Sequence, residues 1–225
     1  MRDALTQPYI DRREAGQLLA QQLRHYSIRS DVFVLALPRG GVPVAYEVAT
    51  VLGVRLDVFL VRRLGVPGQP EVAMGAIAPG GVRVLNPEII EYFAVPSRTV
   101  DVVAQAEQHE LERRERRYRQ GQPPLDLRNQ TVILVDDGLA TGSSMQAAVV
   151  AARQLSVARV VVAAPVGAVD VCHFFADLAD EVICARQPSH FVAVGQWYHN
   201  FSEVSDDEVE ELLSRARQAL AAMQP

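Results

Sequence analysis

Cysteine is scarce in this chain, with only Cys172 and Cys184 among 225 residues. They form neither a CxxC pair nor part of a four-ligand set, which argues against a structural zinc site. As isolated small side chains they are expected to sit as buried thiols rather than as a disulfide or a nucleophile. Long apolar runs are missing too, and none approaches the ~20 residues needed to cross a bilayer. No apolar core follows Met1-Arg2-Asp3, so no signal peptide is expected and a cytoplasmic protein is the plain reading. A basic excess is also lacking, since 22 Lys and Arg face 27 Asp and Glu for a net charge of -5. That argues against a general nucleic-acid binder, which needs cations to neutralise phosphates. No Gly-Lys-Thr or Gly-Lys-Ser occurs, so there is no Walker A loop. Internal repeats, low-complexity tracts and a clear linker are absent as well.

What is present is an ordinary globular balance, 49% hydrophobic and 22% charged, in a length that suits one large domain. Asp11 and Glu14 form a capping-box pattern ahead of Ala15, Leu18, Leu19, Leu23 and Tyr26, which share one helical face over 11–26. A strand, Val32 to Leu37, runs into Pro38-Arg39-Gly40-Gly41; a helix closed by Gly53 and a second strand, Val54 to Val61, follow. Strand, glycine turn, helix and strand make a βαβ unit with parallel pairing. Residues 62–75, broken by Gly65, Pro67, Gly68, Pro70 and Gly75, read as an exposed, mobile loop. Gly75 to Ala78 and Val82 to Leu85 flank Pro79-Gly80-Gly81 like a hairpin. The mixed charges of 97–119 suit a solvated helix. The α/β rhythm then resumes with strands at 131–135, 159–164 and 181–185 and helices at 143–155 and from Ser205 on. The fold class is therefore α/β, a mostly parallel central sheet flanked by helices.

One segment carries chemistry. Val132 to Val135 deliver Asp136 and Asp137 to the carboxyl end of a buried strand, where open α/β sheets bind ligands. Gly138 and Gly142 let the backbone turn and approach a ligand closely. Thr141, Ser143 and Ser144 place hydroxyls where a helix begins, and free amides with the helix dipole favour a phosphate there. Adjacent acids would repel that phosphate, but they suit two vicinal sugar hydroxyls, each donating a hydrogen bond to a carboxylate. The loop reads as a ribose 5-phosphate site.

The run Val132-Ile133-Leu134-Val135-Asp136-Asp137-Gly138-Leu139-Ala140-Thr141-Gly142-Ser143-Ser144 resembles the signature of type I phosphoribosyltransferases. The resemblance implies a Rossmann-like core within one domain, 1–225. Its core would span about 28–187, with a small hood from about 188–225 and 1–27. It implies that Gly138, Leu139, Ala140, Thr141, Gly142, Ser143 and Ser144 hold the 5-phosphate of phosphoribosyl pyrophosphate. Asp136 and Asp137 would hold the ribose and a Mg²⁺ ion, and would stabilise positive charge in the reaction. Arg39, Gly40, Gly41 and Arg62 would take the pyrophosphate, with a cis peptide beside Arg39 and with Arg63 brought to the reacting centre by a closing loop. Glu71 in that loop reads as a solvated acid.

Pro188-Ser189-His190-Phe191-Val192 is similar to the base-binding stretch of the hypoxanthine-type enzymes. This implies that Phe191, Val192 and Trp197 meet a purine-like base, within an aromatic hood that includes Tyr198 and Phe201. Ala140 stands where those enzymes carry an acid for the base, so the loop supplies no general acid or base for the acceptor. Asp11-Arg12 with Ala15-Gly16 is similar to a bacterial group of phosphoribosyltransferases whose acceptor is undefined. The implied activity is transfer of a 5-phosphoribosyl group to a nitrogenous base. A non-catalytic sensor of phosphoribosyl pyrophosphate or a nucleotide is the alternative. The family commonly forms dimers, which leaves a homodimer open.

Overall fold

A strand buried along its whole length needs cover on both faces, and two such strands set this architecture. The computed structural model describes residues 7–223; Met1-Arg2-Asp3, on which the signal-peptide expectation rests, lies outside them. Helix α1 (Arg12–Gln22) leads to strand β1 (Val32–Ala36), helix α2 (Gly41–Leu52) and strand β2 (Arg55–Val58). An insert follows, made of β3 (Arg62–Val66), β4 (Gln69–Ala78), β5 (Val82–Leu85), α3 (Pro87–Tyr92) and α4 (Ser97–Arg119). The alternation resumes as β6 (Thr131–Val135), α5 (Ser143–Gln154), β7 (Arg159–Val166), α6 (Val169–Ala176), β8 (Glu181–Arg186) and α7 (Asp206–Met223).

The central sheet has the order β2-β1-β6-β7-β8, parallel throughout. Successive strand residues point to opposite faces, and each face has its own core. Val32, Val34, Ile133 and Val161 meet α1, α2, α4 and α7 through Leu19, Val48, Leu111 and Leu213. Phe33, Leu35, Val132, Leu134 and Val162 meet α5 and α6 through Met145, Val149 and Phe175. Truncating one such Leu or Ile to Ala costs ~2–5 kcal/mol, so the sheet holds its loops on a rigid frame. In α1 the Asp11 carboxylate accepts the Glu14 N–H at 2.9 Å, as the capping box predicts. Ala15, Leu19, Leu23 and Tyr26 are buried, whereas Leu18 stays 38% exposed.

Residues 62–75 are not an exposed loop. They form an antiparallel hairpin, β3 with β4, and β5 extends it into a three-stranded sheet. Leu64, Val66 and Met74 are buried in the core shared with α4. The glycines and prolines behave as local irregularities: Gly65 sits at a register shift, and Gly68 supplies the positive φ of the turn. Helix α4 is likewise more than a solvated face, since Val100, Ala104, Leu111 and Tyr118 are buried. The short helices α3 and α6 had no expectation in the sequence. Helix α7 packs on α2, α4 and β2, so it belongs to the core rather than to a cover over the loops. Cys172 on α6 and Cys184 on β8 form a disulfide, which corrects the expectation of two thiols. Their separation in the chain hides that α6 folds back against β8.

Candidate active site

From β1 the chain turns to β2 on one side, while β6 lies on the other. The loops after β1 and β6 therefore diverge and open a crevice at the carboxyl edge, the usual ligand position in such sheets. The two loops are tied together where the Leu37 N–H donates to the Val135 carbonyl at 2.9 Å. Next come a cis Pro38-Arg39 peptide and Gly40. A Cβ on Gly40 would collide with the Asp137 carboxylate, so only glycine lets the two loops close this tightly.

Asp136 and Asp137 stand at this crevice, both partly buried. Asp136 Oδ1 accepts the Asp137 N–H at 2.9 Å. Asp137 Oδ2 accepts Arg12 Nε at 2.8 Å and pairs with Arg12 Nη2 at 2.8 Å. Burial pushes the Asp136 carboxyl well above the usual range, and the Asp137 charge adds to the rise. Burial raises Asp137 as well, but the Arg12 guanidinium opposes it. Among the described residues no cation is bonded to Asp136, whereas Arg12 is bonded to Asp137.

After the acids the loop is anchored and then left open. Leu139 is buried, its N–H donates to the Val166 carbonyl at 2.9 Å, and its carbonyl accepts the Ala168 N–H at 3.0 Å. Of the seven residues expected around a phosphate, Leu139 is thus an anchor whose amide is already used. Beyond it, the N–H groups of Ala140, Thr141, Gly142 and Ser144 have no acceptor among the described residues. Gly142 has φ 70°, and a Cβ there would also press on Val171 at 2.8 Å and Phe175 at 2.9 Å. Thr141 Oγ1 and Ser143 Oγ lie 3.0 Å apart beside the start of α5. Unpaired amides, hydroxyls and a helix N-terminus together favour an anion.

A cavity of about 280 Å³ adjoins the acids, lined by Pro38, Arg62, Arg63, Arg114, Asp136 and Ser144 among others. The structure thus brings Arg62 and Arg63 to the crevice, as residues of β3 rather than of a loop. It adds Arg114 from α4, which the charge pattern of the sequence did not single out. Each cation is already matched. Arg62 Nε donates to Glu107 at 2.6 Å, and Arg114 Nε donates to Glu110 at 2.7 Å. Bonds from Arg113 and Arg114 hold the Glu110 carboxyl down to about 2. Arg63 lies 3.9 Å from Glu71, which is 91% exposed, in keeping with a solvated acid. Arg39 turns toward the C-terminal segment and pairs with Glu203 and with Asp206, the latter at 3.8 Å.

The aromatic residues after β8 gather beside the acids. Tyr9 and Tyr198 pack with Val166 and Ala15, and Phe191, Val194 and Trp197 lean on that cluster. Tyr198 Oη donates to the Asp137 carbonyl at 2.6 Å, and Tyr9 N–H donates to the Trp197 carbonyl at 2.8 Å. The indole N–H of Trp197 is buried without a partner among the described residues. Val192 is 79% exposed. Arg12 enters the sequence reading only as part of a motif, and its place against Asp137 needs the tertiary fold.

Residues 10–171 match the family model described as "Phosphoribosyl transferase domain". Two Mycobacterium tuberculosis proteins, from strains H37Rv and CDC 1551, carry provisional phosphoribosyl transferase names. Each is 47% identical over 211 residues, covering 94% of this chain and 47% of the relative. The chain therefore spans about half the length of the curated relatives it matches. A crystal structure of the protein TT1426 from Thermus thermophilus superposes with a TM-score of 0.83 at 42% identity, covering 92% of this chain and 98% of that one. Among the described residues, no helix is long and apolar enough to cross a membrane.

Proposed function

The chain belongs to the phosphoribosyl transferase family, and from that premise we propose that it transfers a 5-phosphoribosyl group from phosphoribosyl pyrophosphate to a nitrogenous base. The bond from C1 to the pyrophosphate oxygen breaks, a bond from C1 to the acceptor nitrogen forms, that nitrogen gives up its proton to water or to the departing pyrophosphate, and pyrophosphate leaves. The observation that carries this reading is the division of labour within residues 136–144. Two carboxylates at one end suit a sugar diol, and unpaired amides at the other suit its phosphate. Grip on the distant phosphate orients the reacting carbon, which turns binding energy into rate. Arg62, Arg63 and Arg114 around the adjoining cavity would take the leaving pyrophosphate, and Arg39 would join them on release from Glu203. Phe191 and Trp197 would offer flat apolar faces to a purine-like base.

The family implies Mg²⁺, and the donor set fits it in part. No group of three or more His, Cys, Asp and Glu gathers among the described residues, so a closed cage is not offered. Mg²⁺ commonly needs only one or two carboxylates when substrate phosphates and water complete its shell. Asp136, with an uncompensated carboxylate, is the natural protein ligand, and Asp137 stands beside it. When bound, the ion would neutralise the leaving group and orient it.

A second reading, a non-catalytic sensor of phosphoribosyl pyrophosphate or a nucleotide, is favoured by two observations. Every arginine near the crevice is already paired, and Ala140 offers no acid or base to the acceptor. The deciding experiment incubates the protein with phosphoribosyl pyrophosphate, Mg²⁺ and a panel of bases and follows pyrophosphate release. Release with at least one base supports the transferase. Tight binding of the donor without release from any base would replace it with the sensor.

A further inference from the structure

The motif Asp11-Arg12 with Ala15-Gly16 is not used by the proposed reaction as it stands, yet every residue of it serves one placement. Asp11 caps α1 through the Glu14 N–H at 2.9 Å. Ala15 is buried in the aromatic cluster with Tyr9 and Tyr198. Gly16 lets α1 lie on α2, since a Cβ there would approach the Val44 carbonyl to 2.6 Å. These contacts fix the first turn of α1, and the first turn carries Arg12 to Asp137.

Arg12 is then held on three sides. Its Nε and Nη2 meet Asp137 Oδ2, and its Nη1 donates to the Ser202 carbonyl at 2.8 Å. The guanidinium lies over the Phe201 ring at 3.9 Å from the centroid. Asp137 is fixed from its other end, where its carbonyl accepts the Tyr198 hydroxyl at 2.6 Å. Accounting for oxygens gives the consequence. Asp136 Oδ1 is used by the Asp137 N–H and Asp137 Oδ2 by Arg12. Asp136 Oδ2 and Asp137 Oδ1 have no hydrogen-bond partner among the described residues. Two free carboxylate oxygens remain for two hydroxyls.

We propose that Arg12 is a positioning residue that takes one oxygen of Asp137 and so commits the other to a single hydroxyl of the ribose. Salt-bridge attachment of the hood alone would not require the partner to be a carboxylate of the sugar site. Turning Asp137 freely would blur which hydroxyl it meets, whereas a pinned carboxylate reads one. The inference rests on the ribose 5-phosphate reading of residues 136–144.

The test uses the whole chain, as wild type, Arg12→Met and Arg12→Lys. Titration calorimetry measures binding of ribose 5-phosphate, 2-deoxyribose 5-phosphate, 3-deoxyribose 5-phosphate and inorganic phosphate. The wild type is expected to prefer ribose over each deoxy sugar by ~10-fold, the size of a hydrogen bond to a charged group. Arg12→Met should lose most of the preference against one deoxy sugar and keep it against the other, which Asp136 reads. Its affinity for inorganic phosphate should stay within ~2-fold, and Arg12→Lys should restore part of the lost preference. Phe201→Leu, which removes the ring under the guanidinium and keeps the charge, should shift the same preference by less and covers the case that Arg12→Met fails to fold. Equal loss for all four ligands, or an unchanged preference, would overturn the proposal and leave Arg12 a docking contact. A wild type that binds phosphate without distinguishing the three sugars would instead sink the ribose reading itself, and the proposal with it.

Discussion

The loop after β6 and the arginine rim around it both face the same crevice, but they wait for a ligand in opposite states. In the loop, four amides from Ala140 to Ser144 have no acceptor among the described residues, and the helix behind them is rigidly seated. On the rim, Arg62, Arg63 and Arg114 are each matched to a carboxylate of the protein, as is Arg39, which turns toward the C-terminal segment. An anion entering the loop displaces only water. An anion reaching the rim must break ion pairs, so much of its attraction is offset by attraction lost. On the proposed reading, the phosphate end would be prepared in advance and the pyrophosphate end gated by exchange.

Breaking the prepared half should have the largest effect. Gly142→Ala forces a Cβ into a left-handed residue and against Val171 and Phe175. Affinity for ribose 5-phosphate should fall by ~10-fold or more, and the melting temperature by several degrees, since ~1 kcal/mol is worth ~2–4 °C in a chain of this size. Unchanged affinity in calorimetry would mean that the loop is not preformed for phosphate.

Next in size is Asp136→Asn, where function and stability should move in opposite directions. The Asp136 pKa is raised on folding, by burial first and by Asp137 second. A raised carboxyl contributes its stability in full below its unfolded pKa and loses it as pH rises through the folded value. Above its folded pKa the ionised group therefore opposes folding, and there asparagine should raise the melting temperature while transfer activity is lost. Melts at falling pH should show the gap between the two proteins narrowing from the raised folded value, where native Asp136 takes up its proton, and levelling off in the ordinary carboxylate range. A gap independent of pH would remove burial of charge as its cause.

A smaller effect is expected from releasing the gated half. Glu107→Gln frees Arg62, and pyrophosphate binding should tighten by ~2- to 5-fold, with a steeper loss on adding salt. Weaker binding would show that Glu107 positions Arg62 rather than competing for it. The smallest effect belongs to Glu71→Gln, because the pair with Arg63 is 3.9 Å long and Glu71 is 91% exposed. Pyrophosphate affinity should change by less than ~2-fold; a larger change would bring Glu71 into the site.

The prepared half is also the legible half. The run Thr131 to Val135, the acids and the glycine-spaced hydroxyls sit within one stretch of chain, so their pattern survives in one dimension. The same holds for α4, whose span from Ser97 to Arg119 is legible although its buried face is not. The hairpin of β3 and β4 is hidden because its glycines and prolines look like breakers, while burial of Leu64 and Met74 comes from α4, far along the chain. The disulfide is hidden for a related reason: nothing in the sequence announces helix α6, and without it Cys172 has no reason to approach Cys184.

By itself, the sequence determined the parallel α/β core and the chemical character of residues 136–144, because periodicity, charge and glycine spacing act between neighbours in the chain. Only the tertiary structure decided which groups that loop meets. Arg12 reaches Asp137 across 125 positions, Arg114 comes from a helix that read as solvated, and Tyr198 anchors the Asp137 carbonyl. Such contacts depend on how helices and strands stack on one another, and stacking is set by the shape of the whole core rather than by any local run of residues.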